Sequence, residues 1–166
     1  MKRTLLVKVQ NHSGMLSKVS GLFSRRAFNI HSLAVGVTED PEISCMTIVV
    51  DGDDDMVEQV EKQLAKLIGV LWVKKLEPGE FISKELVFIK VPADAKTRSE
   101  IVDIAKIFGA RIVEVSPKSL IIEFADTTDK IAELEYMLSP YGHCEIVRTG
   151  AIAIEKDVRP NGNGTV

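Results

Sequence analysis

The sequence predicts an α+β fold: two ferredoxin-like βαββαβ sandwiches in tandem. Three observations predict it. Apolar runs of period two, which suit half-buried strands, are interspersed with segments of three-to-four spacing, which suit amphipathic helices. Their order is strand, helix, strand, strand, helix, strand, the split βαβ pattern in which four antiparallel strands carry two helices on one face. The order occurs twice within 166 residues, a length that accommodates two small domains. The predicted boundaries are 1–80 for the first domain, 81–156 for the second and 157–166 for a tail.

In the first half, Thr4 to Gln10 reads as a strand, with Leu5, Val7 and Val9 on one face. Asn11-His12-Ser13-Gly14 suits a tight turn and a helix cap. Asn11 and Ser13 bond local backbone groups, and Gly14 puts no side chain in the way. The spacing predicts a helix from about Gly14 to Ala27, with Met15, Leu16, Val19, Leu22 and Phe23 along one stripe and Arg25 and Arg26 at its negative end. Ile30 to Thr38 is a second strand, with Leu33, Val35 and Val37 on one face, and Ile43 to Asp51 is a third. The polar turn Glu39 to Glu42 between them predicts a hairpin. Asp53-Asp54-Asp55 supplies an acidic helix start. Val57, Val60, Leu64 and Leu67 form the helix stripe, and Gly69 the expected end. Val70 to Leu76 closes the unit, and Glu77-Pro78-Gly79-Glu80 breaks the chain.

The second half repeats the order. Lys84 to Val91 is a strand. Thr97-Arg98-Ser99-Glu100 has the spacing of a capping box and opens a helix through Phe108, ended by Gly109. Two strands flank the turn Ser116 to Ser119. A helix spans Thr128 to Leu138, and one last strand is expected from His143 to Ile154. The tail, polar and rich in Gly and Asn, is expected to be disordered.

The start of the first helix is the candidate site. A helix start leaves N–H groups unpaired at the positive end of the dipole, so a small anion such as an amino-acid carboxylate can approach the backbone at Gly14. The same stretch also reads as a plain capped turn. In this strand order the first and third strands are central and the second lies at an edge. Such an edge invites pairing with another copy as a two-fold dimer. A pocket at that joint would take the helix start at Gly14 from one copy and Asn29-Ile30 from the other. Asn29 is equally a helix-ending residue.

Other chemistry is not encoded in recognisable form. A net charge of −3 with no basic face argues against nucleic acid. The strand order also describes an RNA-recognition motif, but the first and third strands lack the aromatics that stack bases, and Phe88 and Phe124 read as core. His12, His31 and His143 lack metal-ligand spacing, and an acidic helix start accounts for Asp53 to Asp55, so no metal is expected. There is no phosphate loop and no dinucleotide fingerprint. Cys45 reads as a small core residue, and Cys45 and Cys144 make no disulfide framework, so a reducing cytoplasm is the expected setting. No run is apolar and long enough for a membrane span.

Several motifs together carry a family resemblance. They are Asn11-x-x-Gly14-x-Leu16-x-x-Val19, Leu22 to Ile30 followed by Ser32-Leu33, Thr38-x-Asp40-Pro41 with Ser44-x-Met46-Thr47, and Gln63-Leu64-x-Lys66-Leu67. Glu85-Leu86, Ile112-Val113-x-Val115 and Arg148-Thr149-Gly150 extend them to about Glu155. The chain resembles the small subunit of acetohydroxyacid synthase, also called acetolactate synthase. The resemblance implies that the first sandwich is an ACT domain, an amino-acid-sensing module that pairs into a homodimer. It implies a chain with no catalytic residues and no cofactor of its own. Such a chain activates a large thiamine-diphosphate-dependent catalytic subunit and confers feedback inhibition by branched-chain amino acids, usually valine. Carried over by position, the effector residues are Asn11, Gly14, Met15, Leu16, Asn29 and Ile30. Backbone N–H groups from Gly14 to Leu16 hold the carboxylate, Asn11 and Asn29 supply amide contacts, and Met15 and Ile30 line the apolar side. The same pocket on a stand-alone sensor with another partner is the alternative.

Overall fold

A computed structural model describes residues 1–157. The chain divides into two compact units. One holds residues 1–82 together with 152–157, and the other holds Ser83–Ala151. No described helix is long and apolar enough to cross a membrane.

In the first unit, Lys2–Gln10 (β1), Met15–Arg25 (α1), Ile30–Val37 (β2), Ile43–Asp51 (β3), Asp54–Leu64 (α2) and Val70–Leu76 (β4) follow in order. The sheet order is β2-β3-β1-β4, all antiparallel, so β2 is the edge strand that the sequence predicts. Leu5, Val7 and Val9 of β1 join Met46, Ile48 and Val50 of β3 beneath the two helices. There they pack on Met15, Val19, Leu22 and Phe23 of α1 and on Val57, Val60 and Leu64 of α2.

Helix ends differ from the sequence expectation. The first helix stops at Arg25 because Ala27 takes a left-handed conformation, φ 56°. The Phe28 N–H then donates to Phe23 O at 3.0 Å and the Ala27 N–H to Ser24 O at 3.2 Å, the paired bonds of a Schellman stop. The second helix starts as predicted, with Asp53 accepting from the Met56 N–H at 2.8 Å, but it ends at Leu64. Leu67 lies in the turn that follows and still packs on the core. Gly69, φ 95°, belongs to that turn, and any side chain there would collide with Met15, whose sulfur lies 2.6 Å from the Cβ position. Leu16, expected on the core stripe, is exposed, one position off the line of Met15, Val19, Leu22 and Phe23. Cys45 is half-buried on the sheet face away from the helices, and so is not the core residue expected.

The second unit takes Phe81–Pro92 (β5) from Ser83 onward, then Arg98–Phe108 (α3), Arg111–Val115 (β6), Ser119–Asp126 (β7), Thr128–Leu138 (α4) and Glu145–Arg148 (β8). Its sheet order β6-β7-β5-β8 repeats the first. Phe124 is core and meets Phe108 edge-on at 6.2 Å, whereas Phe88 is 40% exposed on the face away from the helices and corrects the core expectation. The capping box at Thr97 is not formed. Asp94 Oδ1 instead accepts from the N–H groups of Lys96 and Thr97, at 2.8 and 2.9 Å. The buried Glu85 carboxylate faces Arg148 at 3.5 Å, and Arg148 also pairs with Glu135.

The expected last strand, His143 to Ile154, is two strands. Gly150, φ 77°, breaks it after β8, and Ile152–Glu155 (β9) belongs to the first unit. There the Ala153 N–H donates to Thr47 Oγ1 at 3.2 Å, Glu155 pairs with Lys74, and the Lys156 N–H donates to Glu80 O at 2.8 Å. By contacts, residues 152–157 group with the first unit, which is thus built from two separated stretches of chain. The tail expected to be disordered lies outside the described residues, apart from Asp157.

Candidate functional site

The turn between β1 and α1 is held from below. The Gln10 N–H donates to Gly69 O at 2.8 Å and the Asn11 N–H to Glu42 O at 2.7 Å. The Asn11 side chain donates to Pro41 O at 2.8 Å, so it fastens the loop across to the β2–β3 turn rather than capping the helix. No side chain caps α1 at all. Gly14 occupies the cap position at φ 87°, ψ −9°, a conformation that a residue with a Cβ adopts only under strain. The Met15 N–H makes a long bond of 3.4 Å to His12 O. Among the described residues the N–H groups of Gly14, Leu16 and Ser17 have no main-chain partner. A Cβ built on Gly14 would meet nothing within 4 Å. The result is an open set of donors at the positive end of an eleven-residue helix.

Asn11, Gly14 and Leu16 are exposed around this opening. Met15 departs from the expectation. Its side chain is 3% exposed and belongs to the core beneath the helices, because it shares a stripe with Val19 and Leu22, so only its main chain faces the turn. Asn29 and Ile30 are elsewhere. Ile30 pairs with Val50, which pairs with Arg3, so it lies at the end of the sheet where β1 begins. Gly14 follows the end of β1, where Gln10 pairs with Ile43. The two ends are separated by the length of β2, about 24 Å at 3.4 Å per residue step. One chain therefore brings together four of the six predicted residues, not all six. The edge strand β2 runs from Ile30 at one end of the sheet to Val37 at the end that carries Gly14. Val35 and Val37 on this edge are 49% and 59% exposed.

Comparison with known proteins gives this geometry a family. Residues 5–72 match an AHAS small subunit-like ACT domain, and residues 84–157 match a domain described as the small subunit of acetolactate synthase. An acetolactate synthase small subunit from Mycolicibacterium smegmatis is 46% identical over 159 residues, spanning 96% of this chain and 94% of that one.

The chain belongs to the acetolactate synthase small-subunit family.

A probable acetolactate synthase small subunit from Archaeoglobus fulgidus is 47% identical over 93% of this chain and 96% of its own. The crystal structure of the acetolactate synthase small subunit from Thermotoga maritima superposes with a TM-score of 0.87 at 35% identity, covering 94% of this chain and 98% of that one. As a member of this family the chain is a regulatory subunit, with a large catalytic subunit as its partner, and its first unit has the ACT fold. No cluster of three metal-ligating side chains occurs among the described residues.

Proposed function

We propose that this small subunit senses valine at a seam between two paired ACT domains and passes the signal to the large, thiamine-diphosphate-dependent subunit in the cytoplasm. In the paired state, the open N–H groups at Gly14 and Leu16 of one copy hold the amino-acid carboxylate. Asn29 and Ile30 of the second copy close the pocket over the side chain. Asn11 keeps the loop in register through its bond to Pro41 O. Met15 acts through its main chain and through the floor that it builds under Gly69. The observation that carries the reading is the uncapped helix start beside a left-handed glycine with open space above it.

Enclosing an isopropyl group contributes about 1.5–3 kcal/mol, and one methylene more or less changes affinity by about 1–3 kcal/mol. Leucine and isoleucine should therefore act as weaker effectors than valine. A ligand that binds only the paired state also tightens the pair, so valine should raise the dimer fraction in sedimentation.

The test is Gly14→Asp in the reconstituted holoenzyme. The new carboxylate opposes the ligand's own at the same donors. Feedback inhibition by valine should disappear while activation of the catalytic subunit stays. Gly14→Ala separates charge from backbone strain: it meets no neighbour, yet loses about 1–2 kcal/mol from its left-handed φ. Unaltered valine inhibition in Gly14→Asp would overturn the site.

A further inference from the structure

The sheet of the first unit has a second face, away from its helices. Because Leu5, Val7 and Val9 point to the helices, Leu6 and Lys8 point the other way. Strand register sets one cross-sheet row on this face as Gly36, Cys45, Lys8 and Trp72, and the next row as Ala34, Thr47, Leu6 and Lys74. The returning strand β9 is fastened to the second row, through Ala153 N–H on Thr47 Oγ1 and Glu155 on Lys74. The first row is left open beside it. The outcome is a cavity of about 580 Å³, with Cys45, Lys8 and Trp72 as floor, Ala153 to Glu155 as wall and the turn at Thr38-Glu39 as rim. Gly36 carries the row on to the edge strand, with open space above it.

The chemistry of the lining selects a ligand class. Glu155 already pairs with Lys74. Among the described residues Lys8 makes no salt bridge, and Glu39 stands on the exposed turn at the mouth. With the Glu39 carboxylate at the rim, the charged group on the floor itself is the Lys8 ammonium. Beside it, the Trp72 indole is 38% exposed, with Leu6 and Ile154 completing an apolar flank. The volume falls in the range of small-molecule sites, roughly 300–1,000 Å³.

We propose that this cavity binds a small organic carboxylate with a planar apolar body. The carboxylate meets the Lys8 ammonium, and the body lies on the Trp72 ring against β9. The site lies on the opposite face of the sheet from the helix-start pocket and shares with it only the β2–β3 turn, whose Thr38 and Glu39 form the rim and whose Pro41 O takes the Asn11 bond. A ligand there touches both the sheet and the returning strand, so it favours the docked state of β9.

Trp72 is the single tryptophan of the chain, so its emission reports the site directly. Phenylacetate titrated into the full chain should change that emission saturably, and equally in Gly14→Asp. Lys8→Arg should retain binding, and Lys8→Met should weaken it about ten-fold or more. Benzylamine, the same ring bearing a cation, should give no saturable change. In a Cys144→Ser background, phenylacetate should slow alkylation of Cys45 by iodoacetamide. That measurement decides the matter if Lys8→Met does not fold. No saturable change with phenylacetate, equal affinity in a folded Lys8→Met, equal binding of benzylamine, or unprotected Cys45 would each overturn the proposal.

Discussion

Ala27 is the one described non-glycine residue with positive φ, at 56°. The conformation costs an alanine about 1–2 kcal/mol, and it persists because the Schellman bonds and the packing of Phe28 on the core hold it. Ala27→Gly removes that cost and adds about 0.4–1 kcal/mol of unfolded-state entropy. The net expected effect is a stabilisation of about 0.5–1 kcal/mol, seen as a higher urea midpoint at unchanged slope. The case shows what residue types do and do not reveal. The stripe of Met15, Val19, Leu22 and Phe23 was readable from spacing, and the stop near Ala27 from the arginines before it. The left-handed alanine was not, because nothing in the residue type asks for it. Met15 and Leu16 show the same limit at the site. Both are large and apolar at the start of a helix, and only the rotation of α1 on the sheet decides that Met15 is core and Leu16 is exposed.

At the scale of elements, the order of strands and helices in both units was legible because hydrophobic period survives packing. The caps were less so. Thr97 and Glu100 carry capping-box spacing, yet the start of α3 is organised three residues earlier by Asp94. The N–H groups of Thr97 and Lys96 hold the Asp94 carboxyl below the usual aspartate range. A depressed folded-state pKa means that the charged form contributes stability above the unfolded value and that this contribution is lost as pH falls through the folded one. Asp94→Ala should therefore lower the melting temperature at neutral pH. The gap from the parent protein should narrow as the pH is taken below the ordinary aspartate range. A gap that stays constant across this titration would count against the assignment. The edge position of β2 was also legible, from topology alone. The break at Gly150 was hidden, since an apolar run on either side of Thr149-Gly150 reads as one strand.

For the whole molecule, the returning strand β9 matters most. A cut at the linker near Glu80 releases all the strands and helices of the ACT match but leaves β9, which groups with that unit, behind. A fragment ending at Ile82 leaves Thr47 and Lys74 without Ala153 and Glu155, on a sheet face where Leu6, Val49 and Leu76 are otherwise buried. That fragment should melt below the full chain and bind a hydrophobic dye. A synthetic peptide of residues 150–157 should reverse part of both effects. No difference between fragment and full chain would mean that β9 contributes nothing to the first unit. The returning strand also has a consequence in time. The ribosome makes the first unit's four-stranded sheet early but delivers β9, which packs on its face, about 70 residues after Ile82, some ~4–14 s later at cellular elongation rates. During that interval a nascent chain carries an open apolar surface. A stall or premature stop anywhere in the second half therefore yields a first unit without β9, which should be the better substrate for chaperones and proteases.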